Sequence, residues 1–278
     1  MEYITLNNNE KMPVFGLGTF PMKNLNLIKA VINAIDAGYR CFDVAPSYHN
    51  ELALGIALKI AMLKGISRKD LFIITKVSNV DQRKGNIKKA LKLSMLKLGV
   101  KYIDLYLMHW PHPNTYKNTW KQMEELYESG VVKSIGVCNF HKQHLEELFT
   151  INKITPVVNE IELHPLLTQK ELSEFCKTNK INIISYSPLA RMDEKLIKNP
   201  ILIELSKIHK KTVPQIIFRW NLQHNYIVIP KTESKKRLKE NIDIFDFCLT
   251  KEEMDIIDTI NQNYRVRHNP ETCDYSKV

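Results

Sequence analysis

Four titratable residues in the first half of the chain, Asp43, Tyr48, Lys76 and His109, have the types and spacing of a proton-delivery group. Asp43 and Tyr48 share the stretch from Gly38 to Gly55, which reads GYRCFDVAPSYHNELALG. Lys76 and His109 each close a later apolar run, and Lys76 lies as far beyond Asp43 as His109 lies beyond Lys76. A free tyrosine has a pKa of about 10 and is a poor acid near neutrality. A lysine ammonium beside the phenol favours phenolate and is expected to lower that pKa. An aspartate beside the lysine keeps it charged and oriented, and a histidine can hydrogen-bond a carbonyl oxygen or relay a proton. Together the four would make a general acid that protonates a carbonyl oxygen as hydride arrives at carbon, a transfer typically worth about 10²–10⁴ in rate. The competing reading is a structural Asp43–Lys76 ion pair with two rim residues that pack.

A second group follows Ile229-Pro230, where Lys231 and Thr232 precede Arg237, Glu240 and Asn241. An ammonium, a hydroxyl, a guanidinium and the N–H groups of a helix start suit an anion. Glu240 and Asn241 lie one helical turn beyond Arg237, where they could pair with a purine. Lys235, Lys236 and Lys239 leave open that this is a solvated basic helix. No metal is expected: Trp110-Pro111 separates His109 from His112, and no third ligand has helical spacing with them. No GxSxG elbow supports acyl transfer.

These residues need a scaffold that delivers one polar group per repeat. Apolar runs at 15–17, 41–44, 71–76, 103–109, 131–137, 157–162, 181–186 and 226–229 read as strands, with helical periodicity between them. That alternation implies parallel strands joined by helices. Eight such units in 278 residues fit a single α/β domain, 1–278, built as a (β/α)8 TIM barrel. A hairpin at 2–6 and 11–14 would cap one end. Two helices, 200–209 and 214–223, precede the last strand, 251–261 is an extra helix near the C-terminus, and 262–278 is a tail. The absence of GxGxxG after the first strand weakens a Rossmann alternative. In barrels of this kind the reactive groups sit at the strand ends. Here those ends carry Asp43, Lys76, His109, Asn139, Glu160, Tyr186 and Lys231.

The charge of +10 is spread over many helix faces, which argues against a nucleic-acid partner. Five cysteines without CxxC spacing suggest reduced thiols and a cytoplasmic location. The start, MEYITLNNNE, lacks a signal pattern, and no run of about 18 apolar residues predicts a membrane span.

The segments GYRCFDVAPSYHNELALG, IITKV, DLYLMHWP, SIGVCNF, VNEIELHP, SYSPL and IPKTESKKRLKEN, in this order, make the chain resemble the aldo-keto reductase superfamily over nearly its full length. It is similar to the compact bacterial members, including those named for diketogluconate reduction. The resemblance implies a catalytic tetrad of Asp43, Tyr48, Lys76 and His109, with Tyr48 the proton donor. It implies NADPH as cofactor, with Tyr186 stacked on nicotinamide and Asn139 and Glu160 at the carboxamide. Ser187 and Leu189 would hold the pyrophosphate. Lys231, Thr232 and Arg237 would take the 2′-phosphate, and Glu240 and Asn241 the adenine. Four residues depart from the family's pattern: Phe20, Val44, Cys138, and Glu160 in place of glutamine. An ionised Glu160 would favour the positive nicotinamide of NADP⁺; a buried, protonated one would behave like glutamine.

The expected activity is therefore NADPH-dependent reduction of aldehydes or ketones, by a monomer acting on a small carbonyl substrate. The alternative is an NADP(H)-binding regulatory subunit with little turnover. Phe20, Met22, Trp110, His109 and the tail are expected around the substrate. Arg265, Arg267 and His268 are candidate contacts for an anionic substrate, against the reading that tail cations are solvated.

Overall fold

The structure, a computed structural model, describes residues 1–275. The last three residues of the expected tail and domain, 276–278, lie outside the described residues.

Strands β1 (Tyr3–Thr5) and β2 (Lys11–Pro13) form the expected antiparallel hairpin, with Tyr3 opposite Pro13. Its turn carries Asn7, whose amide donates to the carbonyls of Pro156 and Lys180, both at 3.1 Å. Asn8 donates to the carbonyl of Lys133 at 3.0 Å. All three carbonyls precede barrel strands, so the hairpin closes the N-terminal end of the barrel and leaves the other end open.

Eight parallel strands follow: β3 (Leu17–Gly18), β4 (Cys41–Asp43), β5 (Phe72–Val77), β6 (Leu105–Met108), β7 (Ile135–Cys138), β8 (Val158–Glu162), β9 (Asn182–Tyr186) and β10 (Ile227–Val228). They pair in chain order. The ring closes where Phe15 bridges Val228, with Gly16 N–H donating to Val228 O at 2.9 Å and Gly18 N–H to Pro230 O at 3.1 Å. A Cβ on Gly18 would lie 2.8 Å from Ile229 O, so this seam closes only on glycine. The expected (β/α)8 barrel is the observed fold.

Strand alternation sorts the side chains into two layers. Cys41, Ile74, Leu105, Leu107, Cys138, Val158, Ile184 and Ile227 fill the barrel interior with Leu6 and Met12 of the hairpin. Phe42, Ile73, Tyr106, Met108 and Ile183 face outward against the helices. Two residues on from an inward position the side chain points inward again. Asp43 follows Cys41, Lys76 follows Ile74, and Glu160 follows Val158 in this way, all at the open end.

Several boundaries differ from the sequence reading. The first strand is Leu17–Gly18 rather than 15–17, because Phe15 pairs only at the closing seam. The strand read as 103–109 ends at Met108, leaving His109 on the loop. The strand read as 131–137 begins at Ile135, with Val132 pairing separately with Ile103. A helix at Asn79–Lys84 was not anticipated; Ser78 caps it by accepting from Asp81 N–H at 3.1 Å. That S-x-x-D spacing was its sequence signal. The last helix spans Lys251–Asp258. Beyond it the chain returns across the open end, where Gln262 and Tyr264 N–H both donate to Leu166 O. Among the described residues no helix is long and apolar enough to cross a membrane, and none of the His, Cys, Asp and Glu side chains group as a metal site. All five cysteines are free.

Candidate active site

Lys76 is wholly buried at the end of β5. Its ammonium forms an ion pair with Asp43, the last residue of β4, and lies 3.3 Å from the hydroxyl of Tyr48 and 3.3 Å from Oε1 of Glu160. Burial alone would strip the proton from Lys76; Asp43, Glu160 and Tyr48 outweigh it and hold its pKa well above the usual lysine value. The ammonium is thus a fixed charge.

Tyr48 closes a short 3₁₀ turn, Pro46–Tyr48, and His49 leaves it in the left-handed region at φ 55°. Asn50 then anchors the loop, its amide donating to the carbonyl of Met22 at 2.9 Å and of Thr19 at 3.2 Å. The Phe20 loop and the Tyr48 loop are thereby tied, and the two rings meet at 5.1 Å. The His109 ring stands edge-on to Tyr48 at 5.7 Å, with Nδ1 3.3 Å from Ser47 Oγ. The four expected catalytic residues therefore converge.

One electrostatic expectation is corrected. Lys76 does draw the Tyr48 pKa down, but burial is the larger effect, and Asp43 and Glu160 add to it, so the phenol sits above its ordinary pKa. Tyr48 rests as a neutral phenol with a proton to give. Burial, Lys76 and Arg267 hold His109 well below the usual histidine value, so its ring is neutral.

Glu160 is pushed up to about 8 by burial and by Asp43, against the pull of Lys76. Its Oε2 is buried without a hydrogen-bond partner among the described residues. Near pH 7 the neutral, glutamine-like form is favoured, the second of the two readings that the sequence left open.

The residues expected to hold cofactor lie along β7 to β9 and after β10. Asn139, held at φ 64°, donates to His109 O at 3.0 Å and to Cys138 Sγ at 3.2 Å, and accepts from the Tyr186 hydroxyl at 2.6 Å. Ser187 also has positive φ, as do Ala190, Arg191 and Met192 in succession, while Leu189 lies between. Such backbone is costly for residues with a Cβ and concentrates at ligand-binding loops. Further on, Thr232 Oγ1 accepts from Ser234 N–H at 3.2 Å, and Ser234 caps the helix Lys235–Ile242 by accepting from Arg237 N–H. Arg237 is exposed, and among the described residues no carboxylate pairs with it. Lys231 instead pairs with Glu233 at 2.9 Å. Asn241 is buried and Glu240 half-buried on the same helix. A buried carboxyl with one oxygen unpartnered, left-handed loop backbone and an exposed guanidinium at a helix start fit an elongated, polyanionic dinucleotide.

Phe20 and Trp110 stand at the mouth as expected, with Trp110 6.5 Å from the rings of both His109 and His268. Met22 is not there; it is buried between the barrel and its helices. Sequence reasoning also missed Ser47, the anchoring role of Asn50, and Glu162. Only the short range of Ser47 and Asn50 from Tyr48 could have pointed to the first two. Glu51 turns out to be an anchor too, accepting from Thr75 Oγ1 at 3.0 Å and pairing with Lys97 at 3.4 Å.

This barrel with an Asp–Lys–Tyr–His group at its open end defines a class, and residues 14–262 match the model of the Aldo/keto reductase family. The chain belongs to that family. It is 44% identical over 269 residues to glyoxal reductase of Bacillus subtilis (strain 168), covering 96% of each chain. An aldo-keto reductase from a Medee basin deep-sea metagenome library superposes with a TM-score of 0.93 at 39% identity, covering 98% of this chain and all of the other. The Bombyx mori aldo-keto reductase solved with NADP gives a TM-score of 0.91 at 34% identity, covering 97% and 96%.

Proposed function

We propose that this protein reduces aldehydes or ketones to alcohols with NADPH, and that Tyr48 is the general acid. The observation that carries the reading is the 3.3 Å contact between the Lys76 ammonium and the Tyr48 hydroxyl at the mouth of the barrel. The similarity to a glyoxal reductase and to an NADP-bound reductase supports the same chemistry.

Asn139, Glu160 and Tyr186 would hold the nicotinamide end, Ser187 and Leu189 the pyrophosphate, and Arg237 with Thr232 and Lys231 the 2′-phosphate, with Glu240 and Asn241 at the adenine. NADPH bound there supplies the hydride. The protein's own part is proton delivery. Tyr48 presents its O–H to the carbonyl oxygen of a substrate held against Phe20 and Trp110. As the proton leaves, the phenolate that forms is stabilised by Lys76, whose charge is fixed by Asp43. His109 is neutral, and in the tautomer whose Nδ1 accepts from the Ser47 hydroxyl 3.3 Å away, Nε2 carries the proton and can donate to the same carbonyl oxygen. Lys76 thus acts chiefly on the product of proton transfer, since the resting phenol is already protonated.

Substituting Tyr48→Phe removes the proton and little volume. NADPH oxidation with glyoxal or an aromatic aldehyde should fall by about 10²–10⁴. NADPH binding, followed by quenching of protein fluorescence, should persist. Turnover at the wild-type rate in the variant would refute the role of Tyr48. An absence of aldehyde-dependent oxidation in the wild type would instead favour a cofactor-binding subunit.

A further inference from the structure

The tail carries two arginines one residue apart, and the fold gives them different surroundings. Glu162 ends β8 with a side chain that is wholly buried. Its carboxylate accepts from the backbone N–H of Val266 at 2.6 Å and of Arg267 at 3.1 Å, and lies 3.1 Å from His164 Nε2. This buried acceptor latches the tail across the barrel mouth. Arg265 belongs to the latch: its guanidinium donates to Gln169 Oε1 at 2.9 Å, contacts His141 Nε2 at 3.0 Å and lies 3.9 Å from Glu162. His141 is itself held by Glu271 at 2.7 Å.

The Arg267 side chain takes no part in those contacts, its backbone N–H alone reaching Glu162. Its guanidinium stands over the Phe20 ring, 5.6 Å from the centroid, and Phe20 in turn touches Tyr48. Among the described residues no carboxylate pairs with it. Its charge is felt at both His109 and Tyr186. Half-buried and with its backbone pinned, it has less freedom to lose on binding than a solvated tail cation. A positive group held this way, one aromatic ring from the proton donor, is poised to meet an anion.

We propose that Arg267 determines substrate specificity by selecting carbonyl compounds that carry a carboxylate or phosphate a few carbons from the reacting carbonyl. The assignment rests on the reductase reading above and narrows its substrate class. Arg265, which the sequence grouped with it, is excluded because its guanidinium is already held in the latch by Gln169, His141 and Glu162.

The test uses matched aldehydes with the full chain and NADPH: 4-carboxybenzaldehyde against 4-formylbenzamide, and glyceraldehyde 3-phosphate against glyceraldehyde. The first pair probes carboxylate and the second phosphate. In Arg267→Gln the ratio of kcat/KM, anionic over neutral, should fall at least about tenfold, the scale of one charge-assisted hydrogen bond. The loss should appear in KM, and Arg267→Lys should restore part of it. Calorimetry of 4-(hydroxymethyl)benzoate binding to the NADP⁺-loaded protein should show the same tenfold weakening, whether or not the aldehydes turn over. An unchanged ratio together with unchanged binding of the benzoate overturns the proposal. So does an equal loss on both members of a pair, or a weakened NADPH affinity that accounts for the effect. Failure of the wild type to reduce the neutral aldehydes would instead count against the reductase reading.

Discussion

Lys76 Nζ lies 3.3 Å from Glu160 Oε1 while its ion pair with Asp43 is intact, so one buried ammonium serves two buried carboxyls. A single positive charge can neutralise only one of them. Ionising both would leave a net negative charge in a dry interior, where an uncompensated ion is costly. The proton therefore stays on Glu160, the carboxyl without the close ion pair.

The sign of the resulting pH dependence follows. Below a pH of about 8 Glu160 is neutral, and in the proposed cofactor complex it would discriminate little between the oxidised and reduced nicotinamide. Above it the carboxylate would attract the positive ring of NADP⁺ and not the neutral ring of NADPH. The NADP⁺ over NADPH affinity ratio should rise about threefold to tenfold between pH 7 and pH 9, within the range a shift of up to one pKa unit allows. Because the positive ring also draws the proton off Glu160, the rise should begin below pH 8. Fluorescence titrations of both nucleotides would show it, and Glu160→Gln should flatten the curve. A flat curve in the wild type would remove Glu160 from this role.

Arg237, in the first turn of the helix Lys235–Ile242, pairs with no carboxylate among the described residues, whereas Lys231 is occupied by Glu233. Arg237→Ala should weaken NADPH by about 1.5–3 kcal/mol, the worth of a hydrogen bond to a charged group, and leave NADH little changed. Lys231→Ala should weaken NADPH less, because its ammonium must first leave Glu233. Dissociation constants for the two nucleotides check both statements; equal losses for NADH would show that Arg237 does not read the 2′-phosphate.

Gly55 marks the tightest approach between the helices Glu51–Leu63 and Ile87–Leu98. A Cβ there would meet the carbonyl of Lys97 and lie 2.9 Å from Leu98 Cα, both backbone atoms that cannot swing aside. Gly55→Ala should destabilise the fold by about 1–3 kcal/mol through overpacking. Urea unfolding measures it, and an unchanged midpoint would mean that the helices separate without cost.

Much of the barrel was legible because each repeat announces itself locally. An apolar run, a turn residue and a helical period recur from Cys41 to Ile229, and only crossovers join parallel strands in that way. The inward placement of Asp43, Lys76 and Glu160 also follows from alternation once the strands are known. The errors fell where local pattern is weak. His109 reads as strand but lies past the last ladder pair, and Met22 reads as pocket but packs between the barrel and its helices.

The sequence by itself determined the family, the repeat, and the identity of the four residues that could move a proton. Tertiary structure decided their charge states and the division of labour around them. Tyr48 stays protonated and Glu160 keeps its proton because burial and the sharing of Lys76 act between strands that are distant in the chain. Arg265 and Arg267, alike and nearly adjacent in sequence, differ because Glu162, Gln169 and His141 surround one and leave the other facing the mouth. Desolvation and partner geometry are properties of the assembled barrel, and no window of residues contains them.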